Sequence, residues 1–315
     1  MSVLILVDPL PGDAEENRVA RLVGAARGLP GPVALLVIDA EEGPRCQRLA
    51  TLDGVSQLLR LAPAAPDQPP EPEALAEWLT ARHAEHTAIL AAASPFGAEI
   101  IPRVGGLLGI TPLTGVVGIG PDHTFIRPTH AGAALARIRS RSALKLLTVQ
   151  PWAFAPVATG TTPAPVRAVG ALAGSGLSRS LGVTTIQRPP GQPELTGARI
   201  VVAGGAGLEK GRDFQPVEAL AAALGGAVGA SRGAVDAGLA PADRQIGQTG
   251  HVIAPELYIG LGISGAVQHL AGIKAAGCIV SINTDPGAPL SSVADLSLVA
   301  DAREAVPALI RALQA

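Results

Sequence analysis

A short glycine-rich stretch late in the sequence has the spacing of a dinucleotide-binding motif. It spans Gly260–Gly265 in the pattern Gly-x-Gly-x-x-Gly. It follows an apolar run expected to form a strand, Leu257–Gly260, and it precedes a segment expected to form a helix, Ala266–Ala276. Asp285 stands 20 residues beyond the third glycine, where such sites carry an acidic group. Glycines let the backbone approach a pyrophosphate, and N–H groups of the first helical turn point at it. The stretch therefore predicts a phosphate contact.

Other functions fit parts of the same pattern. The motif could be a tight turn without a ligand, and nicotinamide-dependent oxidoreductases use the same spacing. A nucleophilic Ser264 is a poorer match, because a nucleophile elbow needs glycine where Ala266 stands, and His269 lies on the same predicted helix. His83 and His86 have a helical metal-ligand spacing, but no third ligand group accompanies them. We interpret that pair as a solvated helix face.

A longer block carries a much more specific signal. It comprises the segments Ser231–Gly238, Pro241–Gly250, Ala254–Ile259, Gly262–Gly272, Ile282–Pro286 and Ala288–Pro289. This block closely resembles the signature of electron-transfer flavoprotein alpha subunits, also called the FixB family. Weaker matches follow the family's order upstream, so the resemblance covers most of the chain: Pro102–Arg103, Phe125–Arg127, Ala131–Leu135 and Glu194–Gly197.

The resemblance implies that the C-terminal third of the chain binds FAD. Arg232 corresponds to the family arginine beside the isoalloxazine, Thr249 to a residue near flavin N5 with Gln248 beside it, and His269 to a histidine near the O2 carbonyl. The family also places FAD phosphate at the residues that the glycine motif indicates: Ser264, Gly265, Ala266, Val267 and Gln268.

Further cofactor-binding positions follow from the same resemblance. Asn283 and Asp301 correspond to polar positions that hold the adenosine part. The predicted set is completed by Ser231, Gln245, Ile246, Gly247 and Gly262. Each polar residue also has a purely structural interpretation: a surface arginine capping its own loop, a turn threonine, a packed histidine, a strand end for Asn283 and a helix cap for Asp301.

Three positions depart from the family pattern. The chain has Ala206 where the family commonly has arginine, Ser291 where it often has phenylalanine, and Gln150 near a position that often carries arginine. The first departure removes a contact expected near the dinucleotide. The departures bear on the choice of acceptor and on the flavin potential.

The family implies a redox carrier without a small-molecule substrate of its own. Its alpha subunit packs with a beta subunit, accepts electrons from dehydrogenases such as acyl-CoA dehydrogenases, and passes them to a quinone reductase or a similar acceptor. A nicotinamide-dependent oxidoreductase is the alternative, although it would not need the Ser231–Thr249 block. A flavin-bifurcating relative is a further alternative, which depends on groups expected in the beta subunit.

The hydrophobic pattern predicts an α/β fold with two doubly wound, Rossmann-like domains of parallel sheet, the second binding FAD. We place the domains at residues 1–190 and 191–315, with the boundary in the proline-rich segment Pro189–Gly197. Expected strands are Val3–Val7, Val33–Ile38, Thr87–Ala92, Leu144–Val149, Arg199–Ala203, Leu257–Gly260, Cys278–Ile282 and Leu296–Val299. Expected helices are Ala14–Gly28, Pro72–Ala84, Ala98–Leu108, Val217–Leu224 and Arg303–Leu313.

Composition excludes several classes of function. A net charge of -2 without a Lys/Arg run gives no footprint for nucleic acid. No apolar stretch of about 20 residues predicts a membrane span. Cys46 and Cys278 are isolated thiols, as in reducing compartments, and the N-terminus has the pattern of a strand rather than a signal peptide. We expect a soluble cytoplasmic protein.

Overall fold

The protein is described by a computed structural model. It describes residues 1–9, 15–65, 69–178, 181, 193–211 and 214–314, without the side chains of residues 209–211. The chain divides into two compact units, residues 1–185 and 186–315. The boundary expected between residues 190 and 191, with Pro189 and Pro190, lies outside the described residues, and so does Ala14, where the first helix was expected to begin.

The N-terminal unit is built on a parallel sheet of seven strands. In sheet order these are β10 (Val166–Ala171), β3 (Val55–Ala62), β2 (Val33–Ile38), β1 (Ser2–Leu6), β4 (His86–Ala92), β9 (Lys145–Val149) and β5 (Leu113–Val116). All neighbouring pairs are parallel. The central strands β1 and β2 are buried along their whole length, because a sheet with cores on both faces accepts continuous aliphatic runs.

Four helices accompany this sheet: α1 (Glu15–Ala26), α2 (Pro44–Ala50), α3 (Pro72–Ala81) and α4 (Pro95–Leu108). The Ser94 side chain caps α4 by accepting a hydrogen bond from the Gly97 N–H. Helix α3 ends earlier than expected. His83 and His86 therefore do not share a helix face, and our interpretation of the pair was wrong. His86 lies in β4, buried, with Nδ1 2.9 Å from the Ser2 hydroxyl. The described residues contain no group of metal-ligating side chains that could hold an ion.

A small antiparallel sheet belongs to the same unit. Its strands are β6 (Gly118–Gly120), β7 (Thr124–Thr129) and β8 (Ala134–Arg139). The sequence did not predict these strands, nor β3, β5, α2 or β10. Strand β10 adds to the edge of the large sheet beside β3.

The C-terminal unit has a five-stranded, fully parallel sheet. Its order is β12 (Ala227–Ala230), β11 (Ile200–Gly204), β13 (Leu257–Leu261), β14 (Cys278–Asn283) and β15 (Leu296–Val299). The helices are α5 (Gln215–Leu224), α6 (Arg232–Asp236), α7 (Val267–Leu270) and α8 (Ala302–Leu313). Within this unit the strands run 2-1-3-4-5 in chain order, one of the two common doubly wound arrangements. The predicted α/β fold class is confirmed.

Close packing of α4 on β4 gives a test of the N-terminal unit. A Cβ atom on Gly97 would lie far inside van der Waals contact with the Ala92 carbonyl, whereas a Cβ on the exposed Gly106, in the same helix, meets nothing within 4 Å. We expect Gly97→Ala to lower the free energy of unfolding by about 2–3 kcal/mol. The control Gly106→Ala should raise it by about 0.5–1 kcal/mol. Urea unfolding decides, and equal effects would contradict the packing described.

Candidate functional site

The glycine motif lies at the point of the second sheet where the direction of winding reverses. From β11 the chain goes to β12 on one side, and it returns to β13 on the other. Open parallel sheets bind ligands in the crevice outside the carboxyl ends of such neighbouring strands. The loops after β11 and β13 therefore form the expected crevice.

These two loops contact each other through their backbones. The Gly205 N–H donates to the Leu261 carbonyl at 2.8 Å, and the Gly207 N–H donates to the Gly262 carbonyl at 3.0 Å. A Cβ on Gly205 would collide with that Gly262 carbonyl, and a Cβ on Gly207 would lie 2.7 Å from it. Glycine is thus required for the approach, which leaves no side chain between the loops.

The loop after β13 presents a row of unused backbone donors. No N–H group from Ser264 to Gln268 donates a hydrogen bond within the described residues. Gly265 adopts a φ of 87°, in the left-handed region, and its Cα packs directly against the Leu290 backbone. The Leu290 N–H holds the loop by donating to the Ser264 carbonyl at 3.0 Å. Free N–H groups held in one concave turn suit the oxygens of a phosphate.

The helix that we expected over Ala266–Ala276 is wrong in length. Helix α7 covers only Val267–Leu270, and turns follow it. Gly272 packs closely against the backbone of Gly247, so the chain turns back there instead of continuing as a helix. A single turn has little of the dipole that a long helix supplies. The local N–H groups, rather than a macrodipole, must therefore contact an anion.

The segment Gln245–Thr249 is tied to both sides of the crevice. The Ile246 N–H donates to Ala230 at the end of β12, and the Gln248 N–H donates to the Gln268 carbonyl at the first turn of α7, each at 2.8 Å. Ile246 is buried, whereas Gln248 and Thr249 are exposed. The Gln245 amide donates to the Thr249 hydroxyl at 2.9 Å, so the hydroxyl can still donate to another group.

Ser231 and Arg232 stand at the start of α6, directly after β12. The Ser231 N–H donates to the Gly204 carbonyl at 2.9 Å, which joins this segment to the end of β11, and its hydroxyl caps α6 by accepting from the Ala234 N–H. The Arg232 side chain is 71% exposed and lies 3.4 Å from Asp236. An exposed pair of this kind contributes little to stability, so the guanidinium can turn toward a ligand.

His269 is the most perturbed titratable group of the site. It is buried on α7, with Nε2 2.7 Å from the hydroxyl of the fully buried Tyr258. Nδ1 has no hydrogen-bond partner among the described residues. Burial lowers the pKa of His269 to about 4, and the nearby Ile246 carbonyl opposes this effect without forming a well-aligned hydrogen bond. The ring is therefore neutral at pH 7 and has one unused nitrogen.

Asn283 and Asp301 already have structural partners. The Asn283 amide donates to the Ile263 carbonyl at 3.0 Å, which ties the end of β14 to the loop after β13. Asp301 caps α8 and pairs with Arg303, and these hydrogen bonds lower its pKa to about 2. Their predicted contacts with adenosine stay predictions. The Ala206 methyl group packs near Gly233.

The structure thus brings the predicted residues together at one edge of the sheet. Two residues that the sequence analysis missed also shape the site, Tyr258 and Leu290. The signal for Tyr258 was present, because it is the only tyrosine of the chain. No sequence signal indicated Leu290, because its contribution is the hydrogen bond of its backbone N–H, which does not depend on the type of side chain. Three features of the site fit a dinucleotide with a polar ring system: unused N–H donors, an exposed rim and an unpartnered imidazole nitrogen.

Burial of His269 makes stability depend on pH. The lowered pKa, about 4 in the folded chain against about 6.5 unfolded, means that acid favours the unfolded state. This stability is complete above pH 6.5 and is lost as the pH falls toward 4, by about 2–3 kcal/mol. His269→Gln should abolish that part of the loss. Urea midpoints of the flavin-free chain at pH 7 and 4.5 measure this loss of stability. An equally large loss in His269→Gln would contradict the assignment.

Comparison with known proteins gives the family. Residues 17–173 match the model of the electron transfer flavoprotein domain, and residues 194–274 match that of the electron transfer flavoprotein FAD-binding domain. The chain is 40% identical over 306 residues to the electron transfer flavoprotein subunit alpha of Pseudomonas aeruginosa, covering 95% of this chain and 98% of the relative. It is 40% identical over 309 residues to the subunit of Paracoccus denitrificans, covering 98% and 99%.

A mitochondrial relative is similar to the same extent. The chain is 40% identical over 296 residues to a probable electron transfer flavoprotein subunit alpha of Caenorhabditis elegans, covering 92% of this chain and 87% of the relative. These matches confirm the resemblance read from the Ser231–Pro289 region. The chain belongs to the electron transfer flavoprotein alpha-subunit family, with the FAD-binding domain at its C-terminal end.

Proposed function

We propose that this chain is one half of a heterodimer that relays electrons through FAD and has no substrate of its own. As a family member it is an electron carrier. The observation that best supports the proposed site is the row of unused N–H donors from Ser264 to Gln268 at the reversal point of the sheet. When bound there, FAD supplies the one- and two-electron chemistry; the chain binds it and adjusts its electronics.

Each part of the site has a proposed role. The N–H groups of Ser264–Gln268 bind the diphosphate. Arg232 lies beside the isoalloxazine, and Thr249 is within reach of N5. His269 donates to the pyrimidine edge, where a neutral donor stabilises added negative charge. Asn283 and Asp301 contact the adenosine part.

An open rim supports the proposal of a partner subunit. Arg232, Gln248, Thr249, Ser264 and Gln268 are all exposed, so this chain alone leaves a flavin ring in water. A beta subunit that covers the rim would exclude water. Dehydrogenases such as acyl-CoA dehydrogenases are the proposed donors, and a quinone reductase or similar protein is the proposed acceptor. None of the described helices is long and apolar enough to cross a bilayer. Both cysteines are unpaired, which supports a cytoplasmic location.

The identity of the cofactor can be tested on the purified complex. The chain purified with its partner should contain one non-covalent FAD per alpha chain, because the loops after β11, β12 and β13 meet at one crevice of the described C-terminal unit. Acid precipitation followed by chromatography of the supernatant identifies and counts the cofactor. FMN or NAD as the only cofactor would contradict the proposal, and NAD would favour the nicotinamide-dependent alternative. A second flavin, assigned to the partner, would favour the bifurcating alternative.

The charge at the flavin ring can be tested with variants of Arg232. Reduction adds negative charge, so a nearby cation favours the reduced state. Arg232→Ala should shift the first one-electron potential negative by up to roughly 100 mV, less where solvent screens the charge. Asp236→Asn is the matched control: it removes the ion-pair partner 3.4 Å away and should shift the potential in the positive direction. Arg232→Lys should restore only part of the effect.

Potentiometry on variants that retain FAD measures both shifts. If Arg232→Ala releases FAD instead, the guanidinium contacts the phosphates. An unchanged first potential in a variant that retains FAD would overturn the proposed adjustment of potential by Arg232.

A further inference from the structure

We propose that Tyr258 is a positioning residue that holds His269 in the tautomer with the proton on Nδ1, so that the ring presents a donor to the flavin. The inference rests on the proposed function of His269 as a ligand of the flavin. Tyr258 lies inside β13, below the crevice, and does not itself reach the exposed rim. It acts only through the imidazole.

The hydrogen-bonding capacity of the two groups decides the tautomer. The Tyr258 hydroxyl is fully buried, and among the described residues its only partner is His269 Nε2, at 2.7 Å. If the hydroxyl donates to Nε2, the proton of the neutral ring lies on Nδ1. Only this buried N–H then lacks a well-aligned partner, and the nearby Ile246 carbonyl opposes a proton there less than it would oppose a lone pair. If Nε2–H donates to the hydroxyl oxygen, the phenol proton and Nδ1 are both left without partners. The first arrangement leaves fewer groups unsatisfied and should be preferred about tenfold or more.

Charge removes the remaining alternatives. Burial lowers the pKa of His269 to about 4 and raises the pKa of Tyr258 far above its usual range. The doubly protonated ring and the phenolate are therefore both excluded at neutral pH. The pair is therefore neutral. The phenol donates to Nε2, and the imidazole carries its N–H on Nδ1, at the opposite side of the ring.

The orientation of His269 is fixed as well as its proton. The ring centroids of Tyr258 and His269 are 6.1 Å apart and tilted by 53°, and the His269 N–H donates to the Ala266 carbonyl at 2.8 Å. A phenylalanine at position 258 would keep the packing with Ile246 and Ile263 in the same core and remove only the hydroxyl. The hydroxyl can therefore be tested separately from the ring.

The test is the tautomer of His269 in the full chain, copurified with its partner and labelled with 15N-histidine. The chain has six histidines, and His269→Gln assigns the resonance. The wild type should show a protonated Nδ1 and an unprotonated Nε2, before and after FAD is removed. In Tyr258→Phe the two tautomers should become mixed, while the resonances of His86, in the other unit, stay unchanged. A wild-type Nε2–H tautomer, or an unmixed Nδ1–H tautomer in Tyr258→Phe, would overturn the proposal. The wild-type result stands even if the variant does not fold.

FAD affinity separates this inference from the proposed function. Tyr258→Phe should weaken FAD binding only about twofold, because FAD can select the competent half of a mixed population. His269→Leu, which removes the donor, should weaken binding about five- to tenfold. A normal tautomer with no effect of His269→Leu would contradict the flavin contact and leave the Tyr258 assignment intact. A twofold change in Tyr258→Phe without tautomer mixing would contradict the Tyr258 assignment alone.

Discussion

The site depends on backbone-to-backbone contact between the loops that leave β11 and β13. Gly205 and Gly207 approach the Gly262 carbonyl so closely that no Cβ fits between them. This contact closes the crevice from below and turns the next residues outward. The N–H groups of Ser264–Gln268 then have no partner within the described chain. The crevice therefore needs two features together: a strand order that reverses between β11 and β13, and glycines in the loops at that point.

The two parallel sheets differ in what stands at this reversal point. In the N-terminal unit the corresponding neighbours are β1 and β4, and their following residues bond to each other. The Ser94 hydroxyl donates to the Asp8 carboxylate at 3.1 Å, and burial raises the pKa of Asp8. Asp8 also lies 3.9 Å from Arg18, so the chain's own polar groups fill this position. The C-terminal unit instead exposes the backbone donors of Ser264–Gln268 at its reversal point.

Much of this organisation could be predicted from the sequence, because several strands, including the edge strand β15, carry strong local signals. Val33–Ile38 and Leu296–Val299 were predicted with the observed bounds, and Gly260–Gly265 lies where the motif indicated. The short antiparallel sheet was missed because β8 is largely exposed and lacks a clear apolar face. Strand β3 was missed as well; its burial is mixed, and β10 covers one edge of it through pairing distant in sequence.

Tertiary contacts also explain what the sequence could not predict in the site. Helix α7 is short because Gly272 packs against Gly247, a residue 25 positions earlier in the chain. The partner of His269 is Tyr258, on the preceding strand, so the two residues belong to different elements and no periodicity within one element relates them. Such contacts depend on the crossing of loops, and local propensity does not contain that information.

The central claim is that the loop after β13 binds the diphosphate of FAD through its backbone. A crystal structure of the chain with FAD and its partner subunit tests this directly, because it locates the phosphorus atoms. The account predicts that the diphosphate oxygens lie within hydrogen-bond distance of N–H groups in Ser264–Gln268, with the isoalloxazine extending toward Arg232 and Thr249. A diphosphate held elsewhere, with those N–H groups facing water, would contradict it.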